Sequence, residues 1–368
     1  MRSHCAAANS VLYFPQGHYL ISNASNDPSL IFSDLTDFEI AGGGSTLLFD
    51  GAATGISSAK INGLRVHDLA FDWKRPSFSQ GKITNLSADG LTAAITIAPE
   101  YPLTGLEPAR LIHFFDPSTN APIRTPRLLS IQYSGAQTFQ ARFDQPLRAT
   151  AATVVVLHGR SNKGILLEQS QQITFSAVQV FAAPGMAIAG GEVRDLTLDH
   201  CQVVPRPGSG RMLSSGADGF NLWDSSGTVT VTNCEFAATG DDCINVHAFF
   251  LAATAESAST IEIAPSNQIN GKPRPLADAL LPTSGETIEI VDPRDFAPLA
   301  DAKVDHLDRV HNERLVTTTQ PLALEPGQAV LIDDFDRTPA KLEIRNCYFR
   351  NTPSRGILAT PTLPSWGI

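Results

Sequence analysis

The chain has 368 residues and a net charge of −10, and no cluster of Lys and Arg forms a phosphate-binding face, which argues against a nucleic-acid partner. No apolar run approaches membrane-spanning length, and the N-terminal stretch MRSHCAAANS lacks the apolar core of a signal peptide. The 27 glycines, 25 prolines and many short β-branched runs predict a turn-rich, all-β protein.

An eight-residue pattern, apolar-x-apolar-x-x-apolar-x-apolar, recurs five times along the chain. The copies are LRVHDLAF from Leu64, ITFSAVQV from Ile173, LTLDHCQV from Leu196, VTVTNCEF from Val229 and LEIRNCYF from Leu342. Each copy indicates two short strands joined at a corner, because the apolar alternation changes phase in the middle. Repetition of such a unit is typical of a parallel β-helix, in which successive coils stack on one another.

Three cysteines occupy the same inward position of this pattern, namely Cys201, Cys234 and Cys347. The five cysteines of the chain have no C-x-x-C spacing of the kind that binds metal. We therefore expect a stack of buried thiols, and neither a metal site nor a cofactor.

A looser pattern, x-Gly-apolar, lies about ten residues before each copy of the first. Its copies are Thr54-Gly55-Ile56, Lys163-Gly164-Ile165, Pro184-Gly185-Met186, Asp218-Gly219-Phe220, Asp242-Cys243-Ile244 (with Cys in the Gly position) and Arg355-Gly356-Ile357. Gly164 and Gly185 are 21 residues apart, and Gly219 and Cys243 are 24 apart. Both spacings fit one coil of a β-helix.

Two long segments interrupt the repeat and are themselves rich in alternating strand patterns, so we expect them to be small inserted β-domains. The predicted organisation is first coils in 1–80, an inserted β-domain in 81–160, central coils in 161–249, a second inserted β-domain in 250–340 and a returning coil in 341–368.

Residues before the Gly position should form a column along one face of the stacked coils. In chain order the column holds Lys163, Pro184, Asp218, Asp242 and Arg355, with Asp241 beside Asp242. Coils stack about 4.8 Å apart, so carboxylates in adjacent coils cannot both ionise easily and one pKa should rise. Glycoside hydrolysis needs such a pair, one protonated acid and one ionised base. Alternatively, these acids are turn residues that bond local backbone amides.

Other residues are candidates for sugar binding. Trp73 could stack on a sugar ring, and Asp72 and Arg75 could bind hydroxyl groups beside it. His247, on the strand that follows the acids, could bind a sugar hydroxyl or pack at a strand end.

These motifs resemble those of glycoside hydrolase family 110, exo-acting α-1,3-galactosidases built on a right-handed parallel β-helix with β-barrel insertions. The stretches that carry the resemblance are LYFPQGHYLI (12–21), FDWKRPSFSQG (71–81), PGM (184–186), RPGSGRMLSSGADGF (206–220), DDCINVH (241–247) and SRGIL (354–358). The family pattern has Gly after the histidine where this chain has Ala248, and relative to the family we expect coils to be missing at both ends.

The resemblance implies an inverting hydrolase that releases terminal α-linked galactose from glycans, secreted or periplasmic, with Asp218, Asp241 and Asp242 as catalytic acids. It also implies a site lined by His247 and Arg355. Asp241 is the expected general acid, and Asp218 and Asp242 the pair that activates water.

Two other readings remain open from the sequence. A polygalacturonase-like hydrolase would also pair Asp-Gly with Gly-Asp-Asp, but its Gly-His-Gly and Arg-Ile-Lys motifs are absent here. A non-catalytic, carbohydrate-binding β-helix would keep the acid column without turnover.

Overall fold

The computed structural model describes residues 9–22, 27–101, 103, 111–160, 162–269, 272–275, 281–310, 313–359 and 366–367. Apart from a 3₁₀ turn at Phe335–Arg337, the regular structure of these residues is β-strand, which confirms the predicted all-β class. No helix in this part of the chain is long and apolar enough to cross a membrane.

The largest sheet is parallel and carries the eight-residue pattern. Its twelve strands are β1 (Val11–Tyr13), β2 (His18–Ser22), β4 (Thr36–Asp50), β6 (Asn62–Trp73), β15 (Gln171–Phe181), β17 (Arg194–Asp199), β18 (Gln202–Val203), β20 (Ser226–Thr232), β21 (Glu235–Ala237), β31 (Lys341–Arg345), β32 (Tyr348–Arg350) and β34 (Trp366–Gly367). Ile173 lies opposite both Leu64 and Leu196, and Val229 lies opposite both Leu196 and Leu342. All five predicted copies are therefore stacked in register.

The predicted corner coincides with one left-handed residue in each copy. These residues are Asp68, Ala177, His200, Asn233 and Asn346, with φ of 52°, 51°, 53°, 56° and 52°. A single left-handed residue turns the chain and changes which face the next side chain occupies, which explains the change of phase. Asp and Asn tolerate this conformation better than other residues do.

A second parallel sheet lies along the other side of each coil. Its strands are β3 (Leu30–Ser33), β5 (Ile56–Ala59), β14 (Ile165–Glu168), β16 (Ile188–Gly191), β19 (Phe220–Trp223), β22 (Ile244–His247) and β33 (Ile357–Ala359). Ile165 lies opposite Ile188, which makes the predicted copy Pro184-Gly185-Met186 wrong by two residues. The stacked copy is 186–188, with Ala187 in the Gly position, because this position accepts any small residue.

The space between the two parallel sheets is filled by a continuous apolar core. Phe49 stacks on Phe71 and on Trp73, with ring centroids 6.3 and 5.0 Å away. Cys201 and Cys234 are buried in the same core, and the Cys201 amide lies 3.3 Å from the Cys234 sulfur. Cys201 and Cys234 are thus part of the packing, as predicted, whereas Cys347 is only partly buried.

The segment after Trp73 forms an antiparallel sheet of seven strands. They are β7 (Phe78–Leu86), β8 (Thr92–Ile97), β9 (Leu111–Phe115), β10 (Pro122–Ile123), β11 (Leu128–Tyr133), β12 (Thr138–Phe143) and β13 (Val154–His158). A barrel-like domain was expected here; among the described residues the sheet ends in two edge strands, β10 and β11, and is open. Its core also includes Met212 and Leu213 from a loop between coils.

The segment after His247 does form a closed barrel. Its six strands are β23 (Leu251–Ala255), β24 (Thr260–Ile263), β27 (Thr287–Val291), β28 (Pro298–Val310), β29 (Glu313–Thr318) and β30 (Ala329–Asp334). A hairpin of β25 (Ser266–Ile269) and β26 (Lys272–Pro275) leaves it. The chain then returns to the parallel sheets at β31.

Candidate active site

The predicted column of acids is present on one face of the stacked coils. The amide of Gly219 donates to the Asp242 carbonyl, and the amide of Cys243 donates to the Arg355 carbonyl, both at 2.9 Å. These bonds place Asp218, Asp242 and Arg355 in three successive coils. Met186, and not the predicted Pro184, fills the coil before Asp218.

The three predicted catalytic acids lie together. One carboxylate oxygen from each of Asp218, Asp241 and Asp242 lies within 4.8 Å of the other two. Asp218 and Asp242 are buried, with 4% and 1% of their surface exposed, whereas Asp241 is half-buried. Asp241 is thus the acid most open to a ligand.

Asp242 is held by the next coil through several hydrogen bonds. Arg355 donates to both carboxylate oxygens at 2.8 and 2.9 Å and its backbone amide donates at 3.0 Å, while the Ser354 hydroxyl adds a bond of 2.7 Å. Burial alone would raise the pKa of Asp242, but the bonds from Arg355 and Ser354 outweigh it and lower that pKa. Asp242 is therefore an ionised carboxylate.

Asp218 has a different environment. Its burial, together with the negative charges of Asp241 and Asp242, raises its pKa to about 6, despite amide donors that act in the opposite direction. Those donors are the side chains of Asn221 at 2.5 Å and Asn245 at 3.3 Å. Adjacent carboxylates whose pKa values are moved apart are typical of acid–base sites.

Neither asparagine was identified from the sequence, although a signal exists. Each stands three residues after an acid of the column, in Asp218-Gly-Phe-Asn221 and in Asp242-Cys-Ile-Asn245. The two asparagines lie opposite each other on neighbouring strands.

Asp241 forms an ion pair with Arg160. Its backbone carbonyl accepts hydrogen bonds from the hydroxyls of Thr239 and Thr352, at 2.7 and 2.5 Å. Arg160 follows the last strand of the inserted sheet, so repeat spacing could not predict its position. Lys163 was predicted to be a cation close to the acids. The segment that carries Met186 lies between Lys163 and Asp218.

The spacing of the three acids would also suit a metal cation. However, two of them already pair with guanidinium groups, Asp241 with Arg160 and Asp242 with Arg355. These two positive charges would repel a cation, so the arrangement favours proton chemistry over metal binding.

The structure gives Asp72, Trp73 and Arg75 structural roles. The Trp73 indole is fully buried in the core, and a sugar could not stack on it there. Asp72 is fully buried and accepts from Arg206 at 2.9 Å and from Arg211 at 2.5 Å. Arg75 donates to the Phe78 carbonyl and to Ser79 in its own turn. These contacts indicate packing and turn formation, and the contact of these residues with sugar stays a prediction.

His247 is partly buried, and burial lowers its pKa, so it is a neutral side chain. It lies opposite Trp223 on the neighbouring strand.

Trp223 is partly exposed and stands two residues after Asn221, hence on the same face of the strand. Its indole covers Gly191 of the preceding coil, where an added Cβ would lie 2.3 Å from the indole nitrogen. Trp223 is therefore an aromatic residue on the same face as the site. The sequence analysis did not identify it as a site residue.

Comparison with known proteins confirms the resemblance to the α-1,3-galactosidases of glycoside hydrolase family 110. The chain is 27% identical to Alpha-1,3-galactosidase A of Bacteroides fragilis over 94% of its own length and 62% of the relative's. It is 26% identical to the Bacteroides thetaiotaomicron enzyme of that name over 96% and 65% of the two chains. Identity to Alpha-1,3-galactosidase B of the latter organism is 22%, over 90% of this chain and 57% of the relative.

The chain therefore spans less than two thirds of the length of these relatives. No family model matches it.

Proposed function

We propose that the protein is an exo-acting glycoside hydrolase that releases terminal α-1,3-linked galactose with inversion of configuration. The parallel sheets form one right-handed β-helix in this proposal, and the antiparallel sheet and the barrel are domains inserted between its coils. The names of the relatives support the galactosidase activity.

The observation that carries the proposal is the difference among the three clustered acids. Asp242 is held ionised by Arg355, while Asp218 has a pKa near 6. Asp241 lies beside them and is the least buried of the three. A site that holds one firmly ionised carboxylate next to accessible and titrating ones can both donate and accept a proton.

In the reaction, Asp241 protonates the glycosidic oxygen, because it is the acid that a leaving group can reach; the bound substrate must first displace Arg160 from Asp241, since the ion pair favours the ionised carboxylate. Asp218 and Asp242 bind the attacking water and accept its proton. One oxygen of each acid lies within 4.8 Å of the others, closer than the ~6.5–9.5 Å usual between the carboxyls of inverting enzymes. Inversion therefore rests on the family resemblance, and the configuration of the product tests it.

The test is hydrolysis by the purified protein. The purified protein is offered 4-nitrophenyl α-galactoside, galactosyl-α-1,3-galactose, the α-1,4 and α-1,6 isomers, and polygalacturonate, with Asp218→Asn as the inactive control. We expect release of galactose from the aryl glycoside and from the α-1,3 disaccharide. Cleavage of polygalacturonate alone would favour the polygalacturonase alternative, and binding without turnover would favour a non-catalytic β-helix.

A further inference from the structure

Two histidines of the inserted antiparallel sheet lie against the turns that carry the catalytic acids. His113 is on β9 and His158 is the last residue of β13. Their rings stack with centroids 4.9 Å apart and planes inclined by 28°. The His158 Nδ1 lies 3.1 Å from the carbonyl oxygen of Gly216. Because a carbonyl only accepts, Nδ1 carries the proton and donates it.

The carbonyl that meets His158 belongs to a turn that carries a candidate acid, because Gly216 precedes Asp218 by two residues. The turn of Asp241 is bonded to this turn, since the amides of Gly240 and Asp241 donate to the Ala217 carbonyl at 3.0 and 3.2 Å. The antiparallel sheet therefore contacts the Asp218 turn directly and the Asp241 turn through it.

The two turns are also packed against each other without space to spare. A Cβ added at Gly240 would lie 2.7 Å from the carbonyl oxygen of Gly216. A Cβ added at Gly216 would lie 2.8 Å from the carbonyl oxygen of Gly159, which directly follows His158. A shift of the Gly216 carbonyl would consequently move both acid-bearing turns.

Both histidines are neutral. Burial, then the neighbouring His113 and Arg160, lower the pKa of His158 to about 3. Burial and Arg160 lower the pKa of His113 to about 4. A phenylalanine could stack equally well in this position, but it could not donate to a backbone carbonyl, and a buried carbonyl without a donor is costly.

We propose that His158, with His113 stacked on it, is a positioning residue: it holds the Gly216 carbonyl and thereby fixes the placement of Asp218 relative to Asp241 and Asp242. The inserted sheet is then part of the catalytic machinery and not only an appendage of the coils. This inference rests on the proposed hydrolase function.

The experiment compares His158→Asn with His158→Phe. Asn places an amide N–H close to the position of Nδ1 and keeps the donor, whereas Phe keeps the stacked ring and loses it. Among the described residues the His158 Nε2 has no hydrogen-bond partner, so Asn forfeits no bond seen there. Phe115→Leu is the control, because Phe115 packs edge-on against His113 in the same core and has no side-chain donor to lose. Measurements are Tm, kcat and KM on 4-nitrophenyl α-galactoside, and the titration of the Asp218 carboxyl by ¹³C NMR.

We expect His158→Phe to lower kcat by about tenfold or more, with KM changed far less, since small displacements of reacting groups have effects of this size. The pKa of Asp218 measured by NMR should change in His158→Phe and should be unchanged in His158→Asn and Phe115→Leu. Equal behaviour of the Asn and Phe variants, or an unmoved Asp218 titration in the Phe variant, would overturn the inference.

The NMR comparison separates this inference from the proposed function. If the wild-type protein hydrolyses no galactoside, the proposed function fails, and the Asp218 titration alone decides whether His158 positions this turn. If His158→Phe does not fold, His158→Gln takes its place, because its longer side chain puts the amide near the position of Nε2 and leaves the Gly216 carbonyl without its donor; the same displacement of the Asp218 titration is expected. An unmoved titration in that variant would count against the inference.

Discussion

Arg355 donates hydrogen bonds to both carboxylate oxygens of Asp242, at 2.8 and 2.9 Å, from the coil that follows it. Asp242 is 1% exposed, so Arg355 supplies most of the compensation that keeps a buried carboxylate ionised. The pair joins the segment of Arg355 to the candidate active site, and the folding of that segment is thereby linked to the charge of Asp242.

Arg355→Met should lower kcat/KM by about two orders of magnitude, because the pKa of Asp242 rises when its partner is removed and Asp242 is then less able to act as a base. The acid limb of the pH profile should move to higher pH. The matched control is Arg350→Met, which removes an arginine of the same coil region that pairs with Glu235. Equal activity of the wild type and Arg355→Met would show that Arg355 only closes the coil.

The pH dependence of the wild-type activity should follow Asp218. A base acts in its ionised form, and the pKa of Asp218 is raised to about 6. Activity should therefore rise with pH and reach half of its maximum near pH 6. Asn221→Leu removes a donor that favours the ionised form, so this variant should shift the acid limb upward. An unshifted limb would exclude Asp218 as the group that sets it.

Asp218→Asn should abolish activity and yet stabilise the protein at neutral pH. Because the pKa of Asp218 in the folded protein, about 6, lies above its ordinary value of 3.8, its contribution to stability is lost as pH rises between these values. The shift of about two units limits the gain to roughly 3 kcal/mol, and we expect about 1 kcal/mol after changes in hydrogen bonding.

Urea unfolding of the wild type and Asp218→Asn at pH 7.5 and at pH 4 measures this difference. The advantage of the variant should be present at pH 7.5 and should shrink at pH 4. A variant less stable than the wild type at both pH values would contradict the raised pKa assigned to Asp218.

The sequence predicted the stacking of the coils well and the environment of the acids less well. The eight-residue pattern predicted the register of its five stacked copies, because a left-handed residue at a constant position separates the two apolar pairs of each copy. The copy of the x-Gly-apolar pattern predicted at Gly185 was wrong by two residues, because Ala187 occupies the position that Gly164 has in the preceding copy. Arg160 and His158 could not be found by repeat spacing, since the inserted sheet brings them to the acids.

Substitution of Trp73 and of Trp223 tests which of these two side chains contacts the sugar. Trp223→Ala should raise KM several-fold with little loss of stability, because Trp223 is partly exposed on the face of the site. Trp73→Ala should cost about 3–5 kcal/mol of stability, since its indole is fully buried, and should leave KM of the folded protein unchanged. Thermal unfolding and steady-state kinetics of both variants measure the two effects. The opposite pattern would restore Trp73 to the sugar site.

Inverting hydrolysis by Asp218, Asp241 and Asp242 is tested most directly by the configuration of the first product. ¹H NMR of the anomeric region, recorded during hydrolysis of 4-nitrophenyl α-galactoside before mutarotation, distinguishes the two anomers. We predict β-galactose as the first product from the wild type and almost no release by Asp218→Asn. Release of α-galactose first, or undiminished release by Asp218→Asn, would contradict the assignment.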